Sequence, residues 1–145
     1  MKHEPIIHRV VGVVHDLDRK RWLELREHFA PRVTTDYVSL FGGTPVEQDA
    51  SDLIALWKGN LGAVITQHLL GPVDIQPHGE RIRASCHVRA LHYAVAASGN
   101  EWEVLGHYRF ELVELGDEYR IVALTLETFH QTGNRRLLEE ARQKV

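Results

Sequence analysis

The sequence holds one cysteine, Cys86, and one methionine among 145 residues. A lone thiol cannot close an internal disulfide, so nothing points to an oxidising compartment. Neither charge sign dominates. Seventeen Lys and Arg stand against twenty Asp and Glu, a formal net charge of −3. That balance gives no electrostatic reason to expect nucleic acid or an anionic membrane as the main partner. No apolar run approaches the roughly 18 residues a membrane span needs. The opening Met1-Lys2-His3-Glu4-Pro5 lacks the apolar centre of a secretory leader, so a cytoplasmic protein is expected. Several chemistries are also missing from the text of the chain. There is no Gly-x-Ser-x-Gly elbow, phosphate loop, dinucleotide fingerprint, His-Glu-x-x-His helix or zinc-like cysteine spacing. Neither a metal nor a cofactor is expected.

What is present is ordinary in bulk. Hydrophobic residues make up 43% and charged residues 26%, which fits a globular domain and excludes wholesale disorder. The length fits a single domain over 1–145, large enough for a core and a pocket. Ten histidines are the compositional oddity. Imidazole titrates near physiological pH and binds metals, so their placement matters.

Periodicity divides the chain into helices followed by strands. Ile7, Val10, Val11 and Val14 recur at helical spacing. Asp16 and Asp18 interrupt that pattern, and Trp22, Leu25 and Phe29 resume it, with Asp18 as an expected N-cap and Pro31 as the stop. Residues 33–40 are rich in β-branched and aromatic side chains and predict a short strand. A third helix carries Leu53, Ile54, Leu56 and Trp57, capped by Asp49 or Ser51 and ending near Gly59-Asn60. Strands are expected over 63–75, with a break near Gly71-Pro72, and over 81–97, 101–115 and 119–130. Their short, turn-rich links favour antiparallel neighbours. A polar helix over 134–144 ends the chain. This order predicts an α+β domain.

Alternation along 81–97 sends Ala84, Cys86, Val88, Ala90, His92, Ala94 and Ala96 to one face. That face is apolar but small, and His92 is its one strongly polar member. On the next strand Trp102, Val104, Gly106, Tyr108, Phe110 and Leu112 share a face. Small side chains on a concave sheet leave volume for a ligand. The competing reading fills that volume with Trp22 and Trp57. Cys86 reads as packing rather than a nucleophile.

Several segments resemble a known family. Asp18-Arg19-Lys20-Arg21-Trp22 followed by Phe29-Ala30-Pro31-Arg32-Val33 resembles the second-helix signature of the NTF2-like, SnoaL-like superfamily. Thr35-Asp36-Tyr37-Val38-Ser39, Ile65-Thr66-Gln67-His68-Leu69-Leu70-Gly71 and Arg89-Ala90-Leu91-His92 resemble scytalone dehydratases in particular. The resemblance implies a cone-shaped, curved antiparallel sheet packed on N-terminal helices, an α+β barrel with a deep pocket. It implies a homo-oligomer, trimer or dimer, and cofactor-free removal of water from a small hydrophobic cyclic hydroxy-ketone, or a related isomerisation or cyclisation. By residue matching it implies catalytic roles for Asp18, His68, His92 and Tyr37. The expected pocket comprises Leu17, Val88, Ala90, Gly106, Tyr108 and Phe110. Leu17 stands where the family has a second tyrosine, and Gly106 and Tyr108 stand where it has a serine and an asparagine.

Eliminating water beside a carbonyl needs a base for the α-proton and an acid for the leaving hydroxyl, and imidazole suits both roles. A carboxylate on the far ring nitrogen would fix the tautomer. Other readings stay open. Asp18 could be a plain helix cap, His68 a satisfied core histidine, and Tyr37 an amphipathic strand residue. As a metal site, His87 and His92 fall on opposite strand faces, and His8 and His15 share a helix face with no third ligand nearby. A non-catalytic binding or protein-interaction module is the main alternative function. A cofactor-free epoxide hydrolase is a third, but only one pocket carboxylate, Asp18, is in view.

Overall fold

The first helix, α1 (His3–Asp18), forms because Ile6, Val10, Val13, Val14 and Leu17 recur every three or four residues and bury one stripe. A computed structural model describes residues 2–143. Met1, Lys144 and Val145 lie outside the described residues. Contrary to the sequence expectation, Asp16 and Asp18 do not interrupt α1. Asp16 is buried and bonded to His28, whose Nε2 lies 2.7 Å from Asp16 Oδ2. Asp18 is the last helical residue and caps nothing. The next helix, α2 (Trp22–Arg26), starts four residues later, behind Arg21.

Strand β1 (Phe29–Asp36) begins earlier than its β-branched stretch suggests and contains Pro31. A strand tolerates proline where the ladder is already broken. Here the pairing jumps from Phe29↔Ile121 to Thr34↔Ala123, which leaves Pro31 inside the irregularity. A short helix α3 (Val38–Phe41), an edge strand β2 (Val46–Asp49) and α4 (Ala50–Leu61) follow. The remaining strands are β3 (Ile65–Leu70), β4 (Asp74–His78), β5 (Arg81–Tyr93), β6 (Glu101–Leu115) and β7 (Glu118–Gly133). The expected break at Gly71-Pro72 is present and separates β3 from β4. The closing helix α5 (Leu137–Gln143) starts later than the expected 134, and Lys144, placed in it from sequence, lies outside the described residues.

The seven strands form one curved, unclosed sheet in the order β2-β1-β7-β6-β5-β3, with β4 sharing the β5 edge. One expectation needs correction: the sheet is mixed. β1 runs parallel to β7, while every other pair is antiparallel. Short links dictate antiparallel hairpins only between chain neighbours, and β1 meets β7 across most of the chain. The expected alternation is observed. Ala84, Cys86, Val88, Ala90 and His92 of β5, and Trp102, Val104, Tyr108, Phe110 and Leu112 of β6, are all buried on the helix-covered face.

Candidate functional site: a histidine-lined cavity

Lys20 fixes where α1 ends. It takes a left-handed backbone conformation, φ 57°, rare outside glycine. Its ammonium group donates to the carbonyls of Leu61 and Val64, at the end of α4 and the approach to β3. A cation is favourable at a helix C-terminus. These contacts hold the end of α1 against β3 and bring Asp18 beside His68.

The Asp18 carboxylate accepts three hydrogen bonds. Oδ1 takes the His68 ring at Nδ1 (2.7 Å) and the Thr66 hydroxyl (2.8 Å), and Oδ2 takes the His68 backbone N–H (2.8 Å). Burial alone would raise its pKa. The bond from the His68 ring, the attraction of that ring's charge, the His68 amide and the Thr66 hydroxyl together outweigh burial and hold it below the ordinary value. Because Nδ1 is engaged by the carboxylate, the His68 ring keeps Nε2 for other partners. The His68 side chain is only 5% exposed.

Sheet register brings the second imidazole to the same face. His68 pairs with Ala90, and Thr66 pairs with His92, across β3 and β5. The His68 and His92 rings lie 6.1 Å apart and near perpendicular, at 79°. His92 Nδ1 donates to the Trp102 carbonyl at 3.0 Å, and its ring stacks on the Trp102 indole with centroids 4.5 Å apart. A carbonyl can only accept, so the proton sits on Nδ1 and the neutral ring offers a lone pair at Nε2. Burial first, then the nearby His68 charge, push the His92 pKa down to about 4 despite the Trp102 carbonyl. His92 is therefore neutral at pH 7.

Both rings line a cavity of about 270 Å³ between the sheet and helices α3, α4 and α5. The filled-core alternative fails, because Trp57 is a wall of this space rather than its plug. Of the sequence-expected residues, His68, His92, Tyr37, Leu17, Val88, Ala90 and Tyr108 line it. Asp18 stands behind His68 and reaches the cavity only through that ring. Gly106 and Phe110 do not line it. The Gly106 hydrogen faces the Glu127 carbonyl of β7, where a Cβ would come within 2.4 Å, so its smallness serves a close strand approach at a bulge. Phe110 is fully buried and packs edge-on against Tyr108, with centroids 5.5 Å apart. Cys86 is buried as packing, and burial pushes its thiol up to about 11.

Sequence reasoning missed the lid of the cavity. Leu40 and Phe41 of α3, Leu53 and Leu56 of α4, and Leu138 of α5 close it from the helix side. It also missed Thr66 as a ligand of Asp18. The lining is mostly apolar and contains no Asp, Glu, Lys or Arg. Among the described residues, no three His, Cys, Asp or Glu side chains are arranged to hold a metal ion. No helix among them is long and apolar enough to cross a membrane.

No curated protein matches the chain by sequence. Solved structures do match its shape. The Kfla4162 protein from Kribbella flavida is 26% identical, with a TM-score of 0.86 over 94% of this chain and 96% of that one. A proposed scytalone dehydratase from Novosphingobium aromaticivorans is 18% identical, with a TM-score of 0.74 over 90% and 85%. A hexachlorocyclohexane dehydrochlorinase, LinA type 2, is 13% identical, with a TM-score of 0.75 over 90% and 86%. The last two likenesses concern the fold. The SnoaL-like domain family matches residues 4–125. With that match over most of its length and the curved sheet closed by helices around a cavity, the chain belongs to the SnoaL-like domain family.

Proposed function

We propose that the protein is a cofactor-free lyase of the dehydratase type, acting on a small, neutral, mostly apolar cyclic hydroxy-ketone. The observation that carries this reading is the Asp18–His68 pair at 2.7 Å with His68 and His92 on one cavity wall. A buried imidazole anchored by a carboxylate is suited to taking and returning one proton. The absence of charged lining residues matches a neutral substrate. Two proteins that share the fold, a proposed scytalone dehydratase and a dehydrochlorinase, are consistent with elimination chemistry.

The geometry divides the labour unequally. His68 Nε2 takes the proton α to the carbonyl, and the C–H electron pair moves toward the carbonyl as the enolate forms. Asp18 is a positioning residue that stabilises the resulting imidazolium. The enolate then expels the β-hydroxyl, which takes a proton back from His68 and leaves as water. The bond order between the α and β carbons rises by one, and no oxidant or reductant is needed. His92, neutral and with its N–H committed to Trp102, accepts a hydrogen bond from the leaving hydroxyl before departure and orients it. Tyr37, which lines the same cavity, stabilises the developing enolate oxygen.

The test is a panel of cyclic hydroxy-ketones assayed with wild type, His68→Ala and His92→Ala, with circular dichroism as the folding control. General acid–base assistance is worth about 10²–10⁴-fold. His68→Ala should lose about that factor, and His92→Ala less. Equal rates in all three proteins, or no turnover of any member, would remove the reading and leave a ligand-binding module.

A further inference from the structure

The cavity carries its imidazoles at a buried end and large apolar side chains where it opens. The His68 and His92 side chains are shielded from solvent. Phe41 of α3, Val46 of β2 and Leu56 of α4 line the same space, yet they are 64%, 49% and 52% exposed, so they stand at its mouth. Ring contacts connect the two ends. Trp102 stacks on His92, and the Phe41 ring lies 6.2 Å from Trp102 between centroids. Single exposed apolar side chains are ordinary on a protein surface. Three large ones from three separate elements meeting at one opening form a patch, and such a patch marks contact with something apolar.

Anchored backbone holds the patch in place. Ser39 pins α3 to β7, because its hydroxyl donates to the Leu126 carbonyl and accepts from the Thr128 amide, each at 2.8 Å. The Phe41 amide donates to the Tyr37 carbonyl at 2.9 Å. Val46 pairs in register with Thr35 of β1. Leu53 and Leu56 lie one turn apart on α4, the first buried and the second open. The turn from α3 to β2 leaves the space beside Phe41 clear. Gly42 and Gly43 take φ 74° and 80°, and a Cβ at either would meet nothing within 4 Å. Thr44 and Asn60 are further polar lining residues, and the Asn60 side-chain carbonyl already accepts from Arg142 at 2.8 Å.

We propose that Phe41, Val46 and Leu56 form an apolar slot at the mouth, and that the protein's ligand is a compact ring bearing a neutral, apolar substituent that runs out through it. The proposal rests on the elimination reading for the chemistry of the ring and names what the ring carries. Continuity with the cavity points to this occupant, since the slot and the histidines border one space. The lack of charged lining residues fits an uncharged chain. A substituent held there is bound alike before and during the reaction, so the slot sets which molecule is taken rather than how fast its bonds break.

The test is calorimetric titration with 6-n-alkyl-2-tetralones, ethyl to hexyl, which are cyclic ketones without the hydroxyl that elimination would expel. The same ring with a triethylene glycol chain is the polar control. Wild type should bind about two- to fourfold more tightly for each added methylene, and the glycol chain should bring no gain. Phe41→Ser and Leu56→Ser change exposed side chains. Each should lose little for the ethyl probe and about tenfold for the hexyl probe. Val46→Ser, on the edge strand, should behave alike and replaces either variant should it fail to fold. His68→Ala should keep the full dependence on chain length. The slot is overturned if the alkyl chain brings no gain, if the glycol chain gains as much, or if the serine variants lose one constant factor, or nothing, across the series. It is also overturned if Phe41→Ser and Leu56→Ser change the mass in solution and leave the chain-length dependence intact, which would make the rim a contact between copies of this chain. A protein that grades chain length yet dehydrates no hydroxy-ketone keeps the slot and loses the lyase. One that dehydrates bare rings and ignores the chain keeps the lyase and loses the slot.

Discussion

Protonating His92 in the folded chain would place a cation in an apolar wall beside His68. Its folded pKa of about 4 lies below the ordinary value of 6.5. Between those values the unfolded chain binds more protons than the folded one. The contribution of neutral His92 is therefore complete above pH 6.5 and is lost as pH falls toward 4. The gap corresponds to about 3 kcal/mol. Urea denaturation followed from pH 7 to pH 4.5 should show stability falling over that window, and His92→Asn should flatten most of the fall. Asp18 acts in a lower window. Its depressed pKa gives stability that is present above about 3.8 and is lost only as pH drops through the folded value. The sequence disclosed this site unevenly. His92 was legible because strand alternation sets it on a face of small apolar residues, and Asp18 and His68 because a family resemblance picks them out. Thr66 carried no signal, since a threonine in a β-branched strand reads as a strand former. The His68 backbone N–H that completes the carboxylate's set is invisible to any reading of side chains. Gly106 was misread for the opposite reason. A missing side chain looks like free volume, but here a neighbouring backbone fills it.

At the scale of elements, α1 carries two aspartates whose partners lie on different elements. Asp18 engages β3, while Asp16 engages His28, at the turn before β1, and Arg21 at 3.2 Å. The His28 ring is fixed at both nitrogens, because Arg9 donates to its Nδ1 at 3.3 Å. Burial, opposed by Asp16, lowers the His28 pKa and keeps the ring neutral. The ring packs so closely on α1 that a Cβ at Gly12 would come within 2.5 Å of it. Gly12→Ala would gain up to about 1 kcal/mol of helix propensity. The immobile ring turns that gain into a net loss of about 1–3 kcal/mol, read as a lower urea midpoint. Adding His28→Ala should recover part of it, since coupling through one contact is non-additive. The same scale shows why some elements were hidden. β2 exposes most of its four residues on a sheet edge and has no apolar alternation to betray it. The parallel β1–β7 pair joins segments too distant in sequence for turn chemistry to indicate. By contrast the Gly71-Pro72 break, the tight β6–β7 link and the presence of a β5–β6 turn were legible, because glycine, proline and asparagine mark turns through their own backbone preferences, although β5 ends at Tyr93 and not at the expected residue 97, which makes the β5–β6 loop seven residues long.

At the scale of the whole molecule, the end of the chain is tied back over the cavity. Glu140 of α5 accepts from the Ser98 hydroxyl (2.6 Å), the Ser98 amide (3.0 Å) and the Asn134 side chain (2.8 Å). The Ser98 hydroxyl, the Ser98 amide and Asn134 hold its carboxyl down to about 2. This contribution is intact above the ordinary carboxylate range and is lost as pH falls toward 2. Glu140→Ala frees α5 from the β5–β6 turn, and with it Leu138 from the cavity wall. Hydrogen exchange should quicken in α5 and in residues 94–100 while β6 and β7 stay protected. Unchanged exchange in α5 would show that its packing against α4 suffices. The walls so assembled include two of the three tryptophans, Trp57 and Trp102. Trp102 lies flat on His92 with its indole N–H held by Gln131 at 3.0 Å. The protein thus keeps a rigid fluorophore pressed against a buried imidazole, and whatever enters the hollow announces itself as a change in emitted light.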